Sequence, residues 1–219
     1  MLKVHLMFFF SLLVVFPQKN LADTARISTY SANREVPIQS WKTLRDKRVI
    51  KQNLDISCGA ASIATLLTEY YRRPTTEKEV LDLLAKGNDR ASFADMERVL
   101  PKLGFKGTGL ATSWDQLVSL KLPVIVFVRH RKIDHFAVLR GFNGNYVNLA
   151  DPSLGNRTLT RGQFRKMWET RGKKGFEGKM LAVLPLDKSK QQTDKSFFSA
   201  SDFSAVALER LVWQPDLFR

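Results

Sequence analysis

The sequence predicts an α+β domain, with helices in the first half packed on an antiparallel sheet built from the second. Three observations carry that expectation. Polar caps followed by apolar residues at helical spacing recur between residues 58 and 122, a continuous β-branched and aromatic run occupies Leu122–Val128, and Asn143-Gly144 supplies a hairpin signal between two apolar segments. Helices first and strands second is the order expected of two layers segregated along the chain.

Taken in order, Ile63, Leu66, Leu67 and Tyr70 fall on one face and predict a helix from about Cys58 to Tyr71, stopped by Pro74. Thr76 with Glu79 is a capping-box pair ahead of Val80, Leu81, Leu83 and Leu84, and Gly87 closes that helix. Ser92 with Asp95 opens a third helix, bent by Pro101 and closed at Gly104, and Ser113 with Gln116 opens a fourth that ends before Pro123. The period then changes. LPVIVFV reads as a buried strand, His135–Gly141 and Tyr146–Ala150 as the next two, and Lys179–Leu184 as the last.

The ends differ from this body. Residues 1–25 read as a secretory signal: Lys3 near the start, the apolar run Leu6–Phe16, then a polar stretch. Cleavage near Ala22 or Ala25 is imperfect, because Asn20 and Asp23 stand where small residues are preferred. The chain is therefore expected to be exported, periplasmic or secreted, and to stay anchored in the inner membrane if the segment is not removed. Residues 26–48 read as an extended lead-in with a candidate edge strand at Val36–Trp41, and residues 49–186 as the organised domain. Residues 187–219 read as a polar linker followed by a short amphipathic helix carrying Phe203, Val206, Ala207 and Leu211.

Composition excludes several classes. The net charge of +14 favours anionic partners, but the basic residues are scattered and not interleaved with aromatics, so no nucleic-acid partner is expected. GKKGFEGKM at Gly172–Met180 has the wrong glycine spacing for a phosphate loop. One cysteine and three histidines, His5 among them in the signal, provide no metal-ligand cluster, and no cofactor is implied.

A lone cysteine in an exported chain is a buried apolar residue, half of an intermolecular bridge, or a reactive thiol. Cys58 stands at the first turn of a predicted helix, where the dipole and backbone N–H groups stabilise a thiolate. His135 opens the strand segment HFAVLRG and is a candidate base, and Asp151 in LADP is a candidate orienting group for its imidazole. Side-chain parity tests that pair. A two-residue loop at Asn143-Gly144 would point Asp151 away from His135, whereas a three-residue loop, or a bulge with the same effect, brings both to one face. Gln52, six residues before Cys58, is a candidate oxyanion donor alongside the Cys58 backbone N–H.

The segments KQNLDISCGAASIATLL, DHFAVLRG and NLADP resemble the double-glycine leader peptidases, bacteriocin-processing cysteine peptidases of the papain-like superfamily. The resemblance runs over about residues 49–185. It implies a papain-like fold in which Gln52, Cys58, His135 and Asp151 act as oxyanion donor, nucleophile, base and orienter. It also implies a peptide or protein substrate cut after a Gly-Gly pair, with no cofactor, and a monomer is expected. Ser57 stands where transporter-fused members usually carry aspartate, which together with the signal suggests a stand-alone exported member. The alternatives are a non-catalytic peptide-binding module of the same fold and a papain-like acyl transferase or amidase.

Overall fold

The computed structural model describes residues 24–198, apart from 30, 31, 86, 88, 131, 188, 190 and 191. The chain divides into two compact units, residues 1–41 and 42–219. In the first, β1 (Thr24–Thr29) and β2 (Ala32–Pro37) form an antiparallel hairpin. The expected strand at Val36–Trp41 is thus displaced. β2 ends at Pro37, which has no N–H to extend a ladder, and Trp41 begins the helix α1 (Trp41–Asp46). The expected signal lies outside the described residues except for Thr24 and Ala25, and the expected C-terminal helix lies wholly outside them.

The second unit is a six-stranded antiparallel sheet with helices on both faces. Its strand order is β3 (Phe105–Thr112), β8 (Gly178–Pro185), β4 (Val124–His130), β5 (Ile133–Phe142), β6 (Tyr146–Asp151) and β7 (Gly155–Thr160). One core contains Ile125, Phe136, Val138, Leu181 and Val183 under α2 (Cys58–Thr65), α3 (Glu77–Leu84) and α4 (Phe93–Val99). A second contains Val124, Val126, Ala137, Leu139 and Met180 under α5 (Trp114–Ser119) and α6 (Arg161–Trp168). Alternate residues of each central strand serve opposite cores, which is why LPVIVFV is apolar throughout.

The helix caps read from the sequence are present. Thr76 accepts from the Glu79 N–H, and Ser92/Asp95 and Ser113/Gln116 form reciprocal capping boxes. The third helix tightens to a 3₁₀ turn at Leu100–Leu103, with Pro101 inside it, and stops at left-handed Gly104. Two ends differ from expectation. α3 stops at left-handed Ala85 before reaching Gly87, and α2 passes into a π-helical turn at Leu66–Tyr70.

β3, β7 and α6 were not expected. β3 carries Gly107 because a side chain there would collide with Leu100, its Cβ lying 2.5 Å from Leu100 Cδ1. α6 had a legible start, the Thr160/Gln163 capping box. The linker expected from residue 187 also ends early: Asp194 caps a 3₁₀ turn at Lys195–Phe197, and Phe197 is fully buried in the first core. A single aromatic with a place to dock outweighs the polar composition around it.

Candidate active site

Four backbone links pin the loop that leads into Cys58. Ile50 N–H donates to Thr65 Oγ1 (3.0 Å), Gln52 N–H to the Pro152 carbonyl (3.0 Å), Asn53 N–H to Glu77 Oε1 (2.9 Å) and Leu54 N–H to Ser57 Oγ (3.1 Å). The Ser57 hydroxyl also donates to the Leu54 carbonyl (2.7 Å) and makes no capping bond to α2. With no side-chain cap, the positive end of the helix dipole is left to the Cys58 side chain at the first helical position.

Cys58 is 2% exposed and Asp151 1%, while the His135 side chain between them is 17% exposed. His135 Nε2 lies 2.9 Å from Asp151 Oδ1, so the carboxylate fixes the tautomer and leaves the other ring nitrogen available to Cys58, whose thiol and the imidazole shift each other's titration. Asp151, His135 and Cys58 are thus coupled in that order.

Parity is settled by a bulge. Near the turn Phe142 pairs with Val147 and Gly141 with Asn148, and continuing that register would set Asp151 opposite Val138, facing away from His135. Between Leu139 and Gly141 the register shifts, so that Leu139 pairs with Leu149 and Val138 with Ala150. Arg140 is the extra residue. Carried on, the shifted register sets Asp151 opposite Ala137, on the side of His135 and diagonal to it. The three-residue loop considered from the sequence is not the one adopted; the bulge has the same effect. Gly141 follows with φ 149°, a conformation that residues with a Cβ rarely adopt.

Electrostatics favour an ion pair. Burial alone would push the Cys58 thiol up, but the His135 hydrogen bond and charge, the Phe136 backbone and the Arg90 guanidinium outweigh it and hold the thiol below its usual value. Burial opposes the His135 cation, yet hydrogen bonds to Asp151 and Cys58 and their charges raise its pKa to about 9. Asp151, despite burial, is lowered to about 2 by His135 and by the Leu154 and Ser153 backbone N–H groups. Those N–H groups reach Oδ1 at 3.0 and 2.9 Å, and Arg157 donates to Oδ2 at 3.2 Å.

Gln52 lies in the pinned loop with Nε2 donating one hydrogen to the Leu54 carbonyl (2.8 Å). Its Oε1 is buried with no partner among the described residues. Sequence reasoning missed Glu77, Arg90 and Arg157. Glu77 is 4% exposed and braces Asn53; its only signal was an acid in the first turn of a helix. Arg90 Nη1 donates to the Asp134 carbonyl (2.6 Å), next to His135, and Arg157 stands on the unexpected β7. Among the described residues no group of three or more His, Cys, Asp or Glu could hold a metal ion.

The model of the peptidase C39 family matches residues 46–171, more than half of the chain, and this stretch includes all four candidate residues. The chain belongs to the peptidase C39 family. Among curated proteins it is 34% identical over 138 residues to a probable functional amyloid protease, FapD, of Pseudomonas aeruginosa, covering 60% of this chain and 61% of that one. It is 32% identical to the FapD of Pseudomonas fluorescens over the same shares. The match thus spans about three fifths of these relatives. The C39 fold also matches solved structures. A double-glycine-motif protease from an AMS/PCAT transporter, in complex with its leader peptide, is 25% identical with a TM-score of 0.53, covering 63% of this chain and 90% of that one. The peptidase domain of Streptococcus ComA, 18% identical with a TM-score of 0.53, covers 63% and 97% and shares the fold.

Proposed function

We propose that the protein is a cysteine endopeptidase that cuts an exported leader or precursor peptide after a Gly-Gly pair. The observation that carries this reading is the His135–Asp151 pair at 2.9 Å together with its coupling to buried Cys58, which lowers the thiol and raises the imidazole so that a thiolate and an imidazolium are favoured together. In the proposed cycle the Cys58 thiolate attacks the scissile carbonyl, and the Cys58 N–H and the second Gln52 Nε2–H stabilise the oxygen that becomes negative. His135 then gives its proton to the leaving amine, and the acyl group stays on sulfur. Next His135 takes a proton from water, the hydroxide releases the acyl group as a carboxylate, and the ion pair is restored. Asp151 stays ionised and holds the ring.

A cleft of about 390 Å³ opens beside the loop that leads to Cys58, lined by Leu54, Ile56, Ser57 and Ala60 with Leu81 and Leu84 and by none of Gln52, Cys58, His135 and Asp151, so it offers an apolar surface flanking the triad for part of a peptide. The Gly-Gly preference is extended from the double-glycine-motif protease, and a functional amyloid protein is the substrate class suggested by the FapD relatives.

Incubation with a synthetic peptide carrying a central Gly-Gly, read by mass spectrometry, tests the reading. Cleavage with a free carboxylate at the second glycine, lost in Cys58→Ala, is expected. An added amine in place of the carboxylate would make the protein a transferase, and binding without turnover would make it a recognition module.

A further inference from the structure

The segment after the last strand does not behave as a linker. Two guanidinium groups lie over the ring of buried Phe197, Arg48 at 5.1 Å and Arg140 at 4.6 Å from its centroid, and Arg140 Nε donates to the Phe197 carbonyl (3.3 Å). Three residues earlier, Asp194 N–H donates to the Tyr70 carbonyl (2.7 Å), closing the segment onto the π-helical turn. The Asp194 carboxylate takes Arg48 (2.8 Å) and Arg72, and Arg48 also reaches Ser196 Oγ (3.0 Å) and Glu69 Oε2 (2.7 Å). Residues 194–198 are therefore a strap held by backbone, charge and ring contacts. They lie beyond residue 171, where the family match ends.

Arg140, the residue the strap grips, is the extra residue of the β5 bulge. A bulge interrupts the ladder at that point, so its geometry rests on what its side chain touches. The other end of the Arg140 guanidinium donates to Asn156 Oδ1. Asn156 pairs with Ala150, the residue before Asp151, and its own amide donates to the carbonyls of Arg45 (3.0 Å) and Lys47 (2.7 Å). Arg140 thus ties the strap on one side to the strand pair that presents Asp151 on the other. Burial, with Arg48 nearby, pushes its pKa down to about 10, an unfavourable place for a cation that its partners must offset.

We propose that Phe197 and its strap hold Arg140, and through it the bulge, in the register that keeps Asp151 on the side of His135; Arg140 is a positioning residue. The inference rests on the Cys58–His135–Asp151 reading but needs no substrate to test. In the full chain, Phe197→Leu keeps apolar bulk without the ring, Arg140→Lys keeps charge without the fork, and Asp194→Asn loosens the strap from its outer end. Two readouts follow the triad directly: the low-field proton resonance of His135 Nε2–H, assigned by its loss in His135→Ala, and the rate at which iodoacetamide alkylates Cys58 at neutral pH.

In variants that still melt cooperatively, the resonance broadens or moves upfield and alkylation slows by about tenfold for Phe197→Leu and Arg140→Lys, less for Asp194→Asn. A lower melting temperature with both readouts unchanged overturns the proposal and leaves the strap a stabiliser only. A wild-type protein lacking the resonance and reacting slowly with iodoacetamide overturns the triad reading instead.

Discussion

In α2 every residue from Cys58 to Thr65 is buried, and the place of Cys58 follows from one short loop pinned at four points. In the β5–β6 hairpin His135 and Asp151 lie on two strands whose relative register changes at Arg140. The first region is a local solution, in which the end of a helix supplies the field that a thiolate needs. The second is a non-local one, in which a single inserted residue decides whether two side chains meet. Rigidity protects Cys58, whereas the His135–Asp151 contact depends on an irregularity that other parts of the chain must hold.

That difference can be broken at either end, and the largest effect is expected at the hairpin. Asp151→Asn keeps the shape but loses the charge that fixes the His135 tautomer, and a fall in kcat on a Gly-Gly peptide of about 10³-fold or more is expected, with KM little changed. On the Cys58 side, Gln52→Ala removes the proposed side-chain oxyanion donor and is expected to lower kcat by about 10²-fold without slowing alkylation of Cys58 by iodoacetamide. If Gln52→Ala slows alkylation equally, its place in the loop matters more than its amide.

Stability against pH reads the hairpin side of the comparison from both of its partners. His135 is raised from 6.5 to about 9, so its contribution is fully present below pH 6.5 and is lost as pH rises through about 9. Asp151 is lowered from 3.8 to about 2, so its contribution is present above pH 3.8 and lost as pH falls through about 2. Urea melts across these windows should show losses of at most about 3 kcal/mol each; Asp151→Asn should remove the acid loss and shrink the alkaline one, where Cys58 still favours the His135 cation. Smallest of all, Gly141→Ala asks a residue with a Cβ to hold φ 149°, and a cost of about 1–2 kcal/mol with a modest fall in kcat is expected. An unchanged melting midpoint would mean that the bulge can relax without its glycine.

Much of the molecule was legible before folding because its signals are local. Capping boxes at Ser92 and Ser113, the cap at Thr76 and the stop at Gly104 each need only three or four neighbouring residues. The doubly buried β4 showed as an unbroken apolar run. β3 was missed because Gly107 and Gly109 lower its β-propensity, and they are there for a helix that approaches closely from elsewhere in the chain. Arg90 and Arg157 could not be singled out from 35 basic residues, since charge alone does not reveal which of them lies beside a buried thiol or carboxylate.

By itself the sequence determined the α+β order, the helix starts at Thr76, Ser92 and Ser113, the place of Cys58 at a helix start, and the condition that His135 and Asp151 meet only if the hairpin is odd in length or bulged. Tertiary structure alone chose the bulge, put Arg140 in it, and brought Phe197 from the expected linker into the core. The physical reason is one of range. Helix starts are written in hydrogen bonds between near neighbours, whereas strand register and the docking of a distant aromatic depend on surfaces that exist only after the chain has folded.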